Sequence, residues 1–284
     1  MRYPDSPRPV SPYPFRNNRP FVLGGPDWAP QSRALTVFGL FECDLTYKGR
    51  TPSDVLQLYN FYDSIGGAAG RFTFVDFNGA GPVGGVDPGM LWSALYVGTA
   101  DGATGSWDAP TFGAKASTTT VVASLVAGTR TVTPVSMAGI WNPANYSTGV
   151  GTVLTIVNSD GTAGELVTVT AVTATTFTAI FANNHGANFL VNAPIVFENG
   201  VAKTTAITGS PGAGTYGLVA GTGTDGVDTI VAGTDPTAGV IVTVAAMCRR
   251  ALRRARFTTP KQPFVLNVPQ NYQQDLVTIV EVRK

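Results

Sequence analysis

The stretch that decides the fold is residues 42–78, ECDLTYKGRTPSDVLQLYNFYDSIGGAAGRFTFVDFN, which predicts a strand, a short helix and a second strand. Apolar and polar side chains alternate over 43–48, as they do in a half-buried strand. Phe72, Phe74 and Phe77 make the second strand aromatic. No other helix is predicted, so we expect the apolar side of this one to pack across a β-sheet.

The helix is predicted to span about 52–65. Thr51 is a good N-cap, Pro52 suits the first helical position, and Asp54 completes a weak form of the capping box. Gly66 and Gly67 end the helix, because glycine readily adopts a positive φ. The side chains predicted to form the apolar stripe are Val55, Leu58, Tyr59, Tyr62 and Ile65.

The composition of the 284-residue chain indicates a mainly β fold. Hydrophobic residues make up 44% of it, charged residues only 13%, and there are 33 glycines. Such a chain can bury a core and favours short strands joined by many turns, which excludes a disordered protein. We predict a β-sandwich or barrel-like scaffold with one short helix and an inserted β-sandwich-like module.

Charge is distributed unevenly although the net charge is only +1. Residues 81–247 carry three basic and nine acidic side chains, and the rest of the chain carries sixteen basic and nine acidic ones. The net charge therefore gives no general argument for binding nucleic acid or membrane. The opposite charges of the middle and the ends suit contacts between neighbouring copies.

Two cysteines, Cys43 and Cys248, lie far apart in the sequence, and we predict that both are buried free thiols. The opening residues are polar and proline-rich, so we expect no signal peptide. No run approaches the roughly 18 apolar residues of a membrane span. These features suggest assembly from a reducing cytoplasm.

Residues 1–20 contain six prolines, interleaved with Tyr3, Tyr13, Phe15 and four arginines. Prolines at this density predict an extended segment that joins neither a helix nor a sheet. Two interpretations stay open, a floppy tail and an arm that docks on a neighbouring surface. The aromatic residues favour the arm, with Tyr3, Tyr13 and Phe15 as its interface contacts.

From residue 117 to residue 194 the sequence changes to alternating Thr, Val and Ala with very few charges. Asn158–Gly161 predicts a hairpin turn, and Asn199-Gly200 suits a type I′ turn after this region. We predict that 117–194 is an inserted small β module with its own core. The remaining scaffold would then be discontinuous, formed by 21–116 and 195–284.

Candidates for chemistry are few, and each has a simpler structural interpretation. His185 is the one histidine, and we expect it to be solvated in a Gly/Asn loop. Asp225, Asp228 and Asp235 are spaced like carboxylates for a sugar or Ca²⁺, but the spacing fits turns equally well. GSPGAG, residues 209–214, lacks the lysine of a phosphate loop. We therefore predict no enzyme, no catalytic residue, no metal and no cofactor.

A basic cluster near the end of the chain has three interpretations, in this order: pairing with acidic groups of an adjacent subunit, a solvated strand face, and contact with DNA that is at most transient. Its members are Arg249, Arg250, Arg253, Arg254 and Arg256.

The segment YKGRTPSDVLQLYNFYDSIGGAAGRFTFVDF, residues 47–77, resembles the signature of the distal tail protein family of long-tailed bacteriophages and gene transfer agents. ALRRARFTTP and DLVTIVEVRK, at 251–260 and 275–284, are similar to that family's closing strands. VFENGVAKTT and GVDTIVAGTDPTAGVIVTV, at 196–205 and 226–244, look like the segment before them. The resemblance covers roughly 35–116 and 195–284, and the predicted module departs from it.

The resemblance implies a structural virion protein in the phage tail, assembled in the host cytoplasm. It implies a homohexameric ring that joins the tail tube protein to the tip or baseplate, to hub and fibre proteins and to host attachment. The alternative is a carbohydrate-binding adhesin of the tail, whose 117–194 module binds a host surface glycan. Trp92, Trp107 and Trp141 are candidate sugar-stacking side chains for that alternative.

Overall fold

The computed structural model describes residues 1–4, 9, 15–18, 21–23, 32–34, 40–75, 90–114, 118–140, 150–206, 210–258, 265–268 and 271–281. Over these residues the protein is mainly β with one α-helix, α1 (Pro52–Ser64), which confirms the predicted fold class. The strands, in chain order, are β1 (Phe15–Asn18), β2 (Phe21–Leu23), β3 (Ser32–Ala34), β4 (Leu40–Arg50), β5 (Phe72–Val75), β6 (Met90–Thr99), β7 (Ser106–Asp108), β8 (Thr111–Phe112), β9 (Thr119–Val121), β10 (Gly128–Val132), β11 (Val153–Val157), β12 (Glu165–Val172), β13 (Phe177–Phe181), β14 (Phe189–Val191), β15 (Ile195–Glu198), β16 (Val201–Ala202), β17 (Thr205–Ala206), β18 (Tyr216–Val219), β19 (Thr229–Ala232), β20 (Ile241–Phe257), β21 (Val265–Val268) and β22 (Asn271–Glu281).

The chain forms two compact units. The first unit comprises Met1–Asn78 and Ala251–Lys284, and the second comprises Gly79–Arg250. This division differs from the predicted one between a scaffold and a 117–194 module, whose boundaries stay a prediction.

The first unit is an antiparallel sheet that brings together distant parts of the chain. Strand β4 pairs with β1 and with β22, so that Cys43 lies opposite both Phe15 and Ile279. The last part of β20 pairs with β22 and with β5, and β21 pairs with β22. Strand β4 begins at Leu40, and residues 35–39 lie outside the described part of the chain.

Helix α1 begins and ends as predicted. The Thr51 hydroxyl accepts a hydrogen bond from the backbone N–H of Asp54 (3.2 Å), and the Asp54 carboxylate accepts one from the backbone N–H of Thr51 (3.1 Å). This completes the capping box, with Pro52 at the first helical position. At the other end Gly66 has a φ of +79°, which confirms the predicted left-handed residue.

The buried side of α1 differs in part from the predicted stripe. The buried side chains are Val55, Leu58, Phe61 and Tyr62, whereas Tyr59 is 36% exposed and Ile65 is half-buried. At 3.6 residues per turn the four buried positions span about 120° of the helix surface, and Tyr59 lies about 40° beyond that arc. Tyr59 was therefore wrongly predicted to be buried, and Phe61 was missed.

In the second unit, the first part of β20 pairs with β6, β8 and β15, and β15 pairs with β16. A separate four-stranded sheet has the order β17-β18-β19-β7. One hydrophobic core contains Leu95, Val196, Tyr216, Ile230, Val242 and Val244. The Asn199-Gly200 turn between β15 and β16 has positive φ at both residues, 48° and 84°, as the predicted type I′ turn requires.

The second unit also contains an antiparallel six-stranded sheet with the order β10-β13-β12-β11-β14-β9. Its strands lie between Thr119 and Val191, and they share a core of their own that includes Leu154, Phe177, Phe181 and Phe189. The predicted turn at Asn158–Gly161 joins β11 to β12. Just after β10, the Val135 N–H donates to the Thr120 carbonyl of β9 (2.8 Å), so the two ends of the sheet approach closure.

Candidate functional site

Tyr3, which was predicted to contact a neighbouring subunit, is a core residue of the first unit. Its side chain is 2% exposed, and its ring lies 5.2 Å from that of Phe61 and 5.3 Å from that of Phe74. The Tyr3 and Tyr47 hydroxyls share a hydrogen bond. Burial raises the pKa of the Tyr3 hydroxyl well above its ordinary value, although the bond to Tyr47 lowers it. The prediction that Tyr3 contacts a neighbouring subunit is therefore wrong.

The backbone around Tyr3 is also tied to its own unit. The Tyr3 N–H donates to the Thr73 carbonyl (2.8 Å), and the Thr73 N–H donates to the Met1 carbonyl (2.9 Å). Residues 15–18 pair with β4, contrary to the prediction that 1–20 joins no sheet, because this stretch lies between Pro14 and Pro20 and keeps all its N–H groups. Tyr13 and the side chain of Phe15 lie outside the described residues.

The described arginines of the basic cluster differ in burial, so they do not form one exposed face. Arg250 is buried, and its guanidinium carbon lies 5.4 Å from the centre of the Trp92 ring. For this residue the predictions of a solvated position and of a subunit contact are therefore wrong. Arg249 and Arg254 are half-buried, and Arg256 is exposed. The side chain of Arg253 lies outside the described part. Subunit pairing, solvation and transient DNA contact stay predictions for the exposed end of the cluster.

The three aspartates predicted as a possible carboxylate cluster have separate structural settings. Asp228 is fully buried, and its carboxylate accepts hydrogen bonds from the Thr111 hydroxyl (2.9 Å) and from the backbone N–H groups of Ala114 and Gly221 (both 3.1 Å). Asp225 and Asp235 are exposed. Among the described residues no three His, Cys, Asp or Glu side chains are grouped to hold a metal ion.

Cys43 and Cys248 are buried free thiols, as predicted. Trp92 and Trp107 are half-buried and lie outside residues 117–194, so they do not give that region a sugar-stacking surface. Trp141 lies outside the described residues. None of the described helices is long and apolar enough to cross a membrane.

His185 is buried rather than solvated, which corrects the sequence prediction. Its side chain is 0% exposed; the ring nitrogen Nδ1 lies 3.1 Å from Asn158 Oδ1, and Nε2 lies 2.7 Å from Glu165 Oε1. The ring packs beside those of Phe181 and Phe189, with centroids 6.0 Å and 5.2 Å away. We call His185, Glu165 and Asn158 the histidine network.

The histidine network fixes the loop between β13 and β14. The Glu165 carboxylate accepts hydrogen bonds from the N–H groups of Ala182 (2.7 Å) and Asn183 (3.2 Å). Asn158 Oδ1 also accepts one from the N–H of Gly186 (3.2 Å). Because three backbone donors end on the Glu165 carboxylate and the half-buried Asn158 amide, the network anchors the loop 182–186.

That loop in turn fixes residues 122–127, which join β9 to β10. Leu125 and His185 exchange backbone hydrogen bonds of 2.9 Å and 3.0 Å, and the Ala127 N–H donates to Asn184 Oδ1 (2.8 Å). Beside this segment lies a cleft of about 430 Å³. We call it the β9–β10 cleft, and its lining comprises Val121, Ala123, Ser124, Leu125, Val126, Arg130, Thr131, Val132 and Thr133.

Comparison with family models finds no match for this chain, and a search of curated proteins finds none either.

The β9–β10 cleft contains a cation but no arrangement of a nucleophile and a base among its lining residues. Its polar groups are the Arg130 guanidinium and the hydroxyls of Ser124, Thr131 and Thr133. Such groups can form hydrogen bonds with an oxygen-rich ligand. Sequence reasoning missed this cleft, because Arg130 stands among Thr and Val residues in a stretch that otherwise predicts only strands.

Proposed function

We propose that this protein is a structural subunit of a phage tail, where copies of it form a homohexameric ring at the distal end of the tail tube. The ring joins the tube protein to the tip or baseplate, and its place is the virion. The role is structural rather than catalytic. The subunits assemble in the host cytoplasm before the ring meets hub, fibre and host-attachment proteins.

One observation carries the proposal: the two distant segments with the strongest resemblance to distal tail proteins fold into one unit. Strand, capped helix and aromatic strand occupy 40–75, and the closing strands occupy 251–257 and 271–281. Their pairing is direct, since β4 lies beside β22 and β5 lies beside β20. This is the arrangement expected if the resemblance reflects a shared scaffold rather than short chance matches.

A second feature suits a protein that meets copies of itself. Leu56 is 59% exposed and Tyr59 is 36% exposed, three residues apart on the outer side of α1. Neighbouring positions at this helical spacing form a continuous apolar surface. A ring of identical subunits needs a heterologous contact, so this side of α1 is our candidate for one half of it.

The experiment is sedimentation velocity and negative-stain electron microscopy of the full-length protein, alone and mixed with its tail tube protein. We expect rings with sixfold symmetry. Leu56→Asp should weaken ring formation, because it places a charge in an apolar contact, while Gln57→Asp, at an exposed position of the same helix, should leave it unchanged.

A full-length protein that stays monomeric at every concentration and in the mixture would contradict the ring. Equal assembly of the Leu56→Asp variant and the wild type would contradict only the role of α1. Circular dichroism of both variants controls for loss of fold.

A further inference from the structure

We propose that the β9–β10 cleft binds an acidic sugar of monosaccharide size, with Arg130 holding its carboxylate. This inference concerns the second unit and stands whether or not the protein forms a ring. The cleft volume of about 430 Å³ lies in the range of small-molecule sites. Its lining combines one cation, three hydroxyl groups and several aliphatic side chains.

Arg130 is held in place by the segment that leads into its own strand. Its Nε–H donates to the Val126 carbonyl (2.9 Å), and Nη2 donates to the Ala127 carbonyl (3.4 Å). These bonds use two of the five guanidinium N–H groups. The parallel pair at the Nη1–Nη2 end is left for a ligand, and such a pair matches the two oxygens of a carboxylate.

The positive charge of Arg130 is not neutralised by a neighbour among the described residues. It is the one Lys or Arg between 118 and 192, and no described carboxylate forms an ion pair with it. The acidic side chains of the same sheet have other roles, since Glu165 holds the loop 182–186 and Asp160 caps its own turn through Thr162. An anionic ligand would therefore meet an uncompensated cation.

The remaining lining suits a sugar ring rather than a simple anion. The hydroxyls of Ser124 and Thr133 are on exposed residues, and the Thr131 hydroxyl is shared with Thr178 across the strands (2.7 Å). Val126, 62% exposed, offers an aliphatic surface beside them. Hydroxyl groups of a sugar exchange hydrogen bonds with Ser and Thr, and its C–H faces pack on aliphatic carbon.

The segment that holds Arg130 is itself hydrogen-bonded to the loop 182–186. Leu125 is bonded to His185 and Ala127 to Asn184, and the histidine network holds the loop that carries both partners. Because the Val126 and Ala127 carbonyls accept hydrogen bonds from the guanidinium, the same network supports the segment that orients Arg130. A preorganised site loses less entropy on binding than a flexible one.

The test is ligand-observed NMR and calorimetry of the full-length protein with glucuronate, and with glucose and acetate as controls. We expect saturable binding of glucuronate that is about tenfold tighter than that of either control, since a charge-assisted bidentate contact is lost with glucose. Arg130→Lys keeps the positive charge but removes the parallel pair of N–H groups, so it should weaken glucuronate binding about tenfold.

Two further variants separate binding from folding. Thr133→Val removes a hydroxyl of the lining and should weaken glucuronate binding severalfold, whereas Thr129→Val, an exposed position of β10 outside the lining, should not. Absence of saturable glucuronate binding, or binding that Arg130→Lys and Thr133→Val leave unchanged, overturns the site. Equal affinity for acetate and glucuronate overturns the assignment of a sugar.

Discussion

At the scale of single residues, Tyr3 shows how one buried hydroxyl links stability to pH. Burial raises the pKa of Tyr3 above its ordinary value of 10.0, so the folded unit keeps the hydroxyl neutral where the unfolded chain begins to ionise. A raised folded-state pKa contributes stability that is fully present below the unfolded value. That stability is lost as pH rises above about 10.

We therefore predict that Tyr3→Phe destabilises the first unit by about 1 kcal/mol near pH 7, because the hydrogen bond to Tyr47 is lost. The difference from the wild type should shrink or reverse above pH 10, where the phenylalanine cannot ionise in the unfolded chain. Urea unfolding at a series of pH values measures this. Tyr59→Phe, at a partly exposed tyrosine of α1, is the matched control. A difference that does not change with pH would contradict the assignment.

Glu165 carries the second prediction at this scale. In Glu165→Gln one carboxylate oxygen becomes an amide N–H₂ that faces the backbone N–H of Ala182 or of Asn183, so one of these hydrogen bonds cannot form. We expect a loss of about 1–3 kcal/mol in the unfolding of the six-stranded sheet. The same substitution should increase the rate of hydrogen exchange at the Leu125 and His185 amides, because it loosens the loop 182–186. Thr168→Val, at an exposed position of the same strand, should change neither.

At the scale of elements, we predict that a substitution at either end of α1 lowers stability, for a different physical reason at each end. Thr51→Ala removes the hydroxyl that accepts from Asp54 and should cost about 1 kcal/mol. Gly66→Val places a β-branched residue at a φ of +79°, where the surrounding space is open, so its cost is conformational strain of about 1–2 kcal/mol.

Gly66→Asn serves as the control for that strain, because asparagine tolerates the left-handed region better than valine does. Urea melts of the three variants should rank Gly66→Asn as the mildest change at this position. Similar losses for Asn and Val would show that the space around residue 66, not its φ, decides the cost.

Elements set by short-range sequence were predictable, and those set by distant pairing were not. The capping box of α1 and the turns at 158–161 and 199–200 depend on residues a few positions apart, and all three form as expected. The burial of Tyr3 depends on rings as distant as Phe257, which no local pattern reveals. The same holds for His185, whose two partners come from a different hairpin. The β9–β10 cleft follows from that long-range packing, so it too was missed.

At the scale of the whole molecule, the basic cluster contains one buried arginine, Arg250, and more accessible ones at Arg254 and Arg256. Arg250→Glu would bury a carboxylate where a cation lies over Trp92, so it should destabilise the second unit itself. The double variant Arg254→Glu/Arg256→Glu acts at less buried positions. We expect it to abolish assembly with circular dichroism unchanged, if these arginines pair with acidic groups of the neighbouring subunit.

Sedimentation velocity at two salt concentrations measures that outcome. Pairing between exposed charges weakens as salt screens it, so wild-type assembly should itself weaken at high salt. If the double variant forms rings as stable as those of the wild type, the arginines are a solvated face. If those rings retain less DNA, contact with nucleic acid is favoured.

The division of the chain into units has a consequence for how the protein is made on the ribosome. The second unit is one continuous segment, Gly79–Arg250, and can fold as soon as that segment has been synthesised. The first unit instead needs Ala251–Lys284 to complete the sheet begun by β4. While the intervening residues are translated, β4 and the aromatic side of α1 lack their partners β20 and β22, which have not yet been synthesised. We therefore expect the chain to be most prone to aggregation during this interval, while strand edges and apolar side chains are uncovered.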